Sequence, residues 1–102
     1  MNSLTLETPE QVRRRLAERV RALRLATGWK QTTLAERSGV SLGSLRRFES
    51  TGKVSLENLL ALAFALNRLD DFETLLLPPP AASIAELEAA AAKPQGRKRG
   101  RR

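Results

Sequence analysis

The chain has no cysteine, no histidine and no tyrosine among its 102 residues. Zinc, iron–sulfur and haem sites draw on cysteine or histidine, so the composition argues against all three. Thiol nucleophiles and Ser–His or Cys–His pairs are excluded, because thiol and imidazole are both missing. No disulfide framework is available, which leaves the redox compartment open. Aromatics make up 4% of the residues, too few for base stacking along a single strand. Long apolar runs are scarce as well. The longest, Leu59 to Leu66, has eight residues and is followed by Asn67, Arg68, Asp70 and Asp71, whereas a bilayer span takes about 20. Met1 to Glu10 contain neither a basic start nor an apolar run, so no signal peptide is expected. These absences predict a soluble, cytoplasmic protein with one domain and a modest core, without membrane contact. No cofactor and no metal are expected. An enzyme is disfavoured, since Glu49, Asp70, Asp71 and the other acids are spread as caps and surface charges.

Positive charge is what the chain has in excess, a formal +7. Residues 1–80 carry 12 basic and 9 acidic side chains, and residues 81–102 carry 6 and 2, so the short C-terminal stretch holds the larger share. Pro78-Pro79-Pro80 marks a boundary, because proline cannot continue a helix and restricts the residue before it. The sequence therefore divides into a domain over residues 8–77 and a Pro/Ala-rich linker with a basic tail over 78–102. Ser83 and Glu86 form a capping-box pattern opening a short Ala-rich helix to Lys93, marginal by itself at about ten residues. Beyond it, Lys93, Arg97, Lys98, Arg99, Arg101 and Arg102 have no apolar partner, so this end is expected to be disordered.

Within 8–77 the apolar spacing is helical throughout. Thr8 as N-cap, Pro9 in the first turn and Gln11 as capping-box partner start a first helix. Val12, Leu16, Val20 and Leu23 form its stripe, and Gly28 stops it. A second short helix carries Gln31 to Arg37, with Leu34 and Ala35 facing inward. Ser38-Gly39-Val40 makes a turn in which Gly39 takes positive φ and Val40 packs beneath. Ser41 caps a third helix with Leu45 and Phe48 inward, broken by Thr51-Gly52-Lys53. Ser55 caps a fourth, Leu56 to Leu66, apolar almost all round and so expected to be central. Asp70 and Glu73 predict a fifth capped helix ending at Leu77. The expected fold is all-α: five short helices and no sheet.

Helices two and three, joined by a Gly-containing turn, form a helix-turn-helix candidate. If Leu34, Ala35, Val40, Leu45 and Phe48 lock the pair, then Leu42, Gly43, Ser44, Arg46 and Arg47 turn outward. Small residues followed one turn later by two arginines suit the major groove. Leu42 can touch a thymine methyl, and Arg46 or Arg47 can hold guanine in bidentate fashion. Thr51-Gly52-Lys53 is not a nucleotide loop, since Val54 follows and the upstream glycine is missing. Arg13, Arg14, Arg15, Arg19, Arg21 and Arg24 read mostly as a solvated face, with at most one or two reaching phosphate. Trp29 reads as a core residue closing the corner between helices one and two.

The run Thr27-Gly28-Trp29-Lys30-Gln31-Thr32-Thr33-Leu34-Ala35-Glu36-Arg37-Ser38-Gly39-Val40-Ser41, with Leu45-Arg46-Arg47-Phe48-Glu49-Ser50 and Thr51-Gly52-Lys53, closely resembles the Xre/Cro–CI group of helix-turn-helix regulators. The similarity spans about residues 10–75. It implies a five-helix, lambda-repressor-like domain, two-fold homodimers and binding to double-stranded, palindromic operator DNA. By position, Gln31 matches a glutamine that contacts the DNA backbone, with Lys30 beside it. Ser41, Leu42, Gly43, Ser44 and Arg47 match the base-reading face, Arg46 adjoins it, and Lys53 matches a phosphate-facing position. The group often carries amide side chains where this chain has Leu42 and Gly43, which leaves fewer base hydrogen bonds. Gly28-Trp29-Lys30-Gln31 and Phe48-Glu49-Ser50-Thr51-Gly52-Lys53 further resemble the HipB type of antitoxin, as do Leu69-Asp70-Asp71-Phe72 and the basic end. Such proteins repress their own operon and bind a HipA-like kinase toxin. The alternatives are a stand-alone or phage-type regulator, and a helix-turn-helix adaptor that does not read DNA. The tail segment Pro94 to Arg102 loosely resembles AT-hooks that place Arg-Gly-Arg in a narrow minor groove. Its other readings are non-specific phosphate attraction, binding of a partner, or none of these.

Overall fold

A computed structural model describes residues 7–80 and Glu88. The expected disordered tail and the helix over 83–93 lie outside the described residues, Glu88 excepted. The chain forms α1 (Pro9–Ala26), α2 (Gln31–Ser38), α3 (Leu42–Thr51) and α4 (Leu56–Ala65), followed by a 3-10 helix, Leu69–Phe72. No strand occurs among the described residues.

The starts of the helices follow the capping chemistry. Thr8 Oγ1 accepts from the Gln11 amide at 3.1 Å, and Gln11 Oε1 accepts from the Thr8 amide at 2.9 Å. These bonds satisfy donors that a helix N-terminus otherwise leaves open. Ser41 and Ser55 do the same through the amides of Ser44 and Asn58. Gly39 ends α2 in the left-handed region at φ 81°, and its N–H reaches the Ala35 carbonyl at 2.9 Å. Only glycine takes that conformation without penalty.

The core is small. Ala17 and Val20 from α1, Leu34 and Ala35 from α2, Val40 from the turn, Leu45 and Phe48 from α3, and Leu62 from α4 form one buried cluster. Every inward position assigned to the helix pair is buried. The α1 stripe is rotated from the expected one: Val20 is buried, Leu16 and Leu23 are half-buried, and Val12 is exposed.

Two expectations fail at the C-terminal side. In place of a fifth helix to Leu77 there is a four-residue 3-10 helix and then turns, with Leu75 N–H to the Phe72 carbonyl and Leu77 N–H to that of Thr74. Asp70 lies inside the 3-10 segment instead of capping it, and no side chain caps its start. Without that cap, and with Pro78 closing the other end, too few residues remain to repay helix nucleation. Nor is α4 central. Leu62 and Ala63 are buried, but Phe64 is 70% exposed and Leu56 is 64% exposed. The helix covers one edge of the domain and leaves the other half of its apolar surface open.

Candidate nucleic-acid interface

The turn between α2 and α3 fixes the outward face. Leu45 and Phe48 are fully covered on the inner side of α3, so positions 43, 46, 47 and 50 must point away, and all four are exposed. Gly43 lies in open space, since a methyl group added there would meet nothing within 4 Å. Glycine inside a helix costs roughly 1 kcal/mol against alanine, less in the first turn. No neighbour within the domain requires it. Among the described residues, neither Arg46 nor Arg47 enters an ion pair. The face thus presents a clearing followed by two unspent guanidinium groups.

The serines are more occupied. Ser41 Oγ accepts the Ser44 amide at 3.1 Å and donates to Ser44 Oγ at 2.9 Å, which ties both hydroxyls to the cap. Leu42 departs from its expected outward position: it is half-buried and packs against the core cluster. As the first residue of α3 it is turned partly into the domain, which leaves less of its surface for a thymine methyl. Lys30, just before α2, and Lys53, just after α3, are exposed. Lys53 follows Gly52, whose φ is 82°, and the Lys53 amide is held by Thr51 Oγ1 at 3.1 Å. Gly52 is required for more than its φ, because a Cβ there would stand 2.9 Å from the Arg13 carbonyl carbon. This close approach pins the end of α3 to α1. The tail residues Arg97, Lys98, Arg99, Arg101 and Arg102 lie outside the described residues.

Beneath the face is a polar cluster that pattern reading missed. Arg24 is 6% exposed, not part of a solvated face, and Glu49 is not a surface charge. Arg24 Nε and Nη2 donate to the two Glu49 carboxylate oxygens at 2.8 and 3.0 Å, and Nη1 donates to the Trp29 carbonyl at 2.9 Å. Gln31 Nε2 donates to Glu49 Oε1 at 2.9 Å. One carboxylate on α3 therefore holds the corner before α2 and the first residue of α2 together. Buried charges persist only when paired and hydrogen-bonded in this way. A sequence signal existed. Arg24 continues the inward series Ala17 and Val20 at a spacing of four, and Glu49 continues Leu45 likewise, so opposite charges fall on facing inner positions. Gln31 is consequently pre-oriented: one of its two amide N–H donors is taken by Glu49, which leaves the second. Trp29 is half-buried at the corner as expected, and the Arg37 guanidinium lies over its ring, 4.6 Å from the centroid. Away from this face, Arg15 holds the Glu7 carboxyl below its usual range by a hydrogen bond and its charge.

The family model for the helix-turn-helix domain matches residues 15–75, which takes in α1 from Arg15 onward, α2 to α4 and the 3-10 helix. The chain belongs to the helix-turn-helix domain family. Comparison with curated proteins and with solved structures gives no match. The match supports a DNA-binding regulator class; α2, the Gly39 turn and α3 all lie within the matched range, and Gly43, Arg46 and Arg47 are exposed on α3. No helix among the described residues is long and apolar enough to cross a membrane.

Proposed function

We propose that the protein is a sequence-specific transcriptional repressor that binds operator DNA as a homodimer. The observation that carries this reading is the outer face of α3, where open space at Gly43 adjoins the exposed Arg46 and Arg47, which enter no ion pair among the described residues. In the major groove, Gly43 lets the helix backbone approach the base edges, and Arg46 or Arg47 binds guanine O6 and N7. Gln31, held by Glu49, with Lys30 and Lys53, faces phosphates and sets the register. Two copies related by a two-fold axis place their reading helices one helical turn apart, about 34 Å. Repression is then steric, at an operator overlapping the promoter.

Equilibrium binding to the upstream DNA of its own gene and to a scrambled duplex, at several salt concentrations, tests this. The expected preference is roughly 10³-fold or more. Arg47→Ala should lower specific affinity by about 1–3 kcal/mol and leave scrambled-duplex binding nearly unchanged. Equal binding to both duplexes rejects the repressor and leaves an adaptor or a general DNA binder. The basic end adds non-specific attraction: deleting residues 94–102 should flatten the salt slope by about 4.5 if all five of its charges meet phosphate.

The finer reading, an antitoxin of a HipBA-like operon that also restrains a kinase toxin, is supported by the similarity around Gly28–Gln31 and Phe48–Lys53. The exposed apolar edge of α4, away from the reading face, supplies a second surface for such a partner. Co-expression with the neighbouring gene product tests it. A stable complex that leaves the α3 face available for DNA is the expected outcome.

A further inference from the structure

Between α1, α4 and the 3-10 helix runs an open groove of about 700 Å³ that contains no residue of α2 or α3. Its walls are apolar, formed by Leu16, Leu23, Leu59, Leu66, Phe72 and Leu75, and its rim carries Arg19, Arg68 and Asp71. Arg68 is paired with Asp71 at 2.9 Å, whereas Arg19 enters no ion pair among the described residues. Among the described residues the groove is therefore an apolar trough with the Arg19 cation free at its edge. It exists because α4 buries only half of its surface, which leaves the leucines of α1 and α4 partly wet.

We propose that this groove is occupied by residues 83–92 of the same chain, with Ile84 and Leu87 as the anchors. Beyond Leu77 these are the only large apolar side chains in the sequence. At helical spacing Ile84, Leu87 and Ala91 share one face. Glu88, the one described residue of this segment, is helical and exposed. A helix of about ten residues is marginal by itself in water, so this one needs a surface to pack on. Charge fits as well, because Glu88 flanks the apolar stripe and can meet Arg19 at the rim. The connection is long enough. Leu75 forms part of the groove wall and Ile84 follows nine residues later, a span of up to about 30 Å, of which Pro78–Pro80 supply roughly 9 Å of stiff linker. A seated helix also fixes where the basic stretch after Lys93 begins, which goes beyond the DNA-binding reading and does not depend on it.

The absence of cysteine makes the test clean, since Ala89→Cys in the full chain takes a single nitroxide label. Methyl resonances of Leu23, Leu59 and Leu66 are then followed for paramagnetic broadening. The expected result is broadening of all three that disappears in the same labelled chain carrying I84D and L87D. Groove methyls that stay sharp, or broadening that survives the double substitution, overturn the proposal. So does broadening transferred from a labelled chain to isotope-labelled, nitroxide-free copies in a mixed sample, which assigns the groove to a second copy. The two aspartates lie outside α1–α4, and unchanged helical circular dichroism in the variant verifies that the domain stays folded.

Discussion

The two sides of the domain invert the usual distribution of charge and oil. Where α3 meets α1, an arginine and a glutamate are sealed inside. At the α4 edge, Phe64 and Leu56 stand in water. The first arrangement is expensive to form and specific once formed, because each charge is stranded if the other moves. The second is inexpensive to disturb, since little that α4 exposes is in contact with anything. Specific geometry is therefore concentrated under α3, and adaptability at the far edge.

Removing one partner of the sealed pair is the strongest way to probe this contrast. Glu49→Ala strands the Arg24 charge and frees Gln31, and should destabilise by about 3–5 kcal/mol in a urea titration. That approaches the whole stability of a domain of this size. Replacing both partners, Arg24→Met with Glu49→Leu, should recover most of the loss, because a well-packed apolar pair of similar volume does not strand a charge. A double variant as unstable as the single one shows that the geometry of the pair, not its burial, sets the cost.

Glycine substitutions give the next largest effect. Gly52→Ala meets both positive φ and the α1 backbone, and should cost about 3 kcal/mol. Gly39→Ala meets positive φ alone, with nothing within 4 Å, and should cost about 1 kcal/mol. Equal losses in the two thermal melts remove the close approach from the explanation. At the α4 edge, Phe64→Ser should change the stability of the folded monomer by no more than about 0.5 kcal/mol. Its effect belongs to association, so sedimentation of this variant should report fewer dimers if the edge joins two copies.

Local chemistry was legible in the sequence and long-range pairing much less so. Thr8, Ser41 and Ser55 act as caps because a short polar side chain before an apolar run has one dominant use. Gly39 and the five inward positions of the helix pair follow from spacing. The Arg24–Glu49 pair was hidden because its partners are 25 residues apart, and an arginine among six on one helix reads as solvent-facing. The exposure of α4 was hidden for the opposite reason. A helix that is apolar all round carries no phase, so its sequence does not say which half is covered. Leu42 illustrates a third limit, since a residue just inside a helix start can swing toward either side. The shortened fifth element depended on whether Asp70 would cap, and its own neighbours decided that. Of the candidate site residues, Arg46, Arg47 and Gly43 could be placed outward from phase alone; the tethering of Gln31 could not.

Trp29 gives the molecule a built-in lamp. With one indole and no tyrosine, essentially all near-ultraviolet emission originates at the corner between α1 and α2. The same ring lies under the Arg37 guanidinium, and its backbone carbonyl accepts a bond from Arg24. A phosphate that draws Arg37 off the ring, or a shift of the corner transmitted through Arg24 and Glu49, changes the colour or brightness of that emission. Any ligand that disturbs this corner is therefore visible in an unmodified protein, by the light of a single side chain.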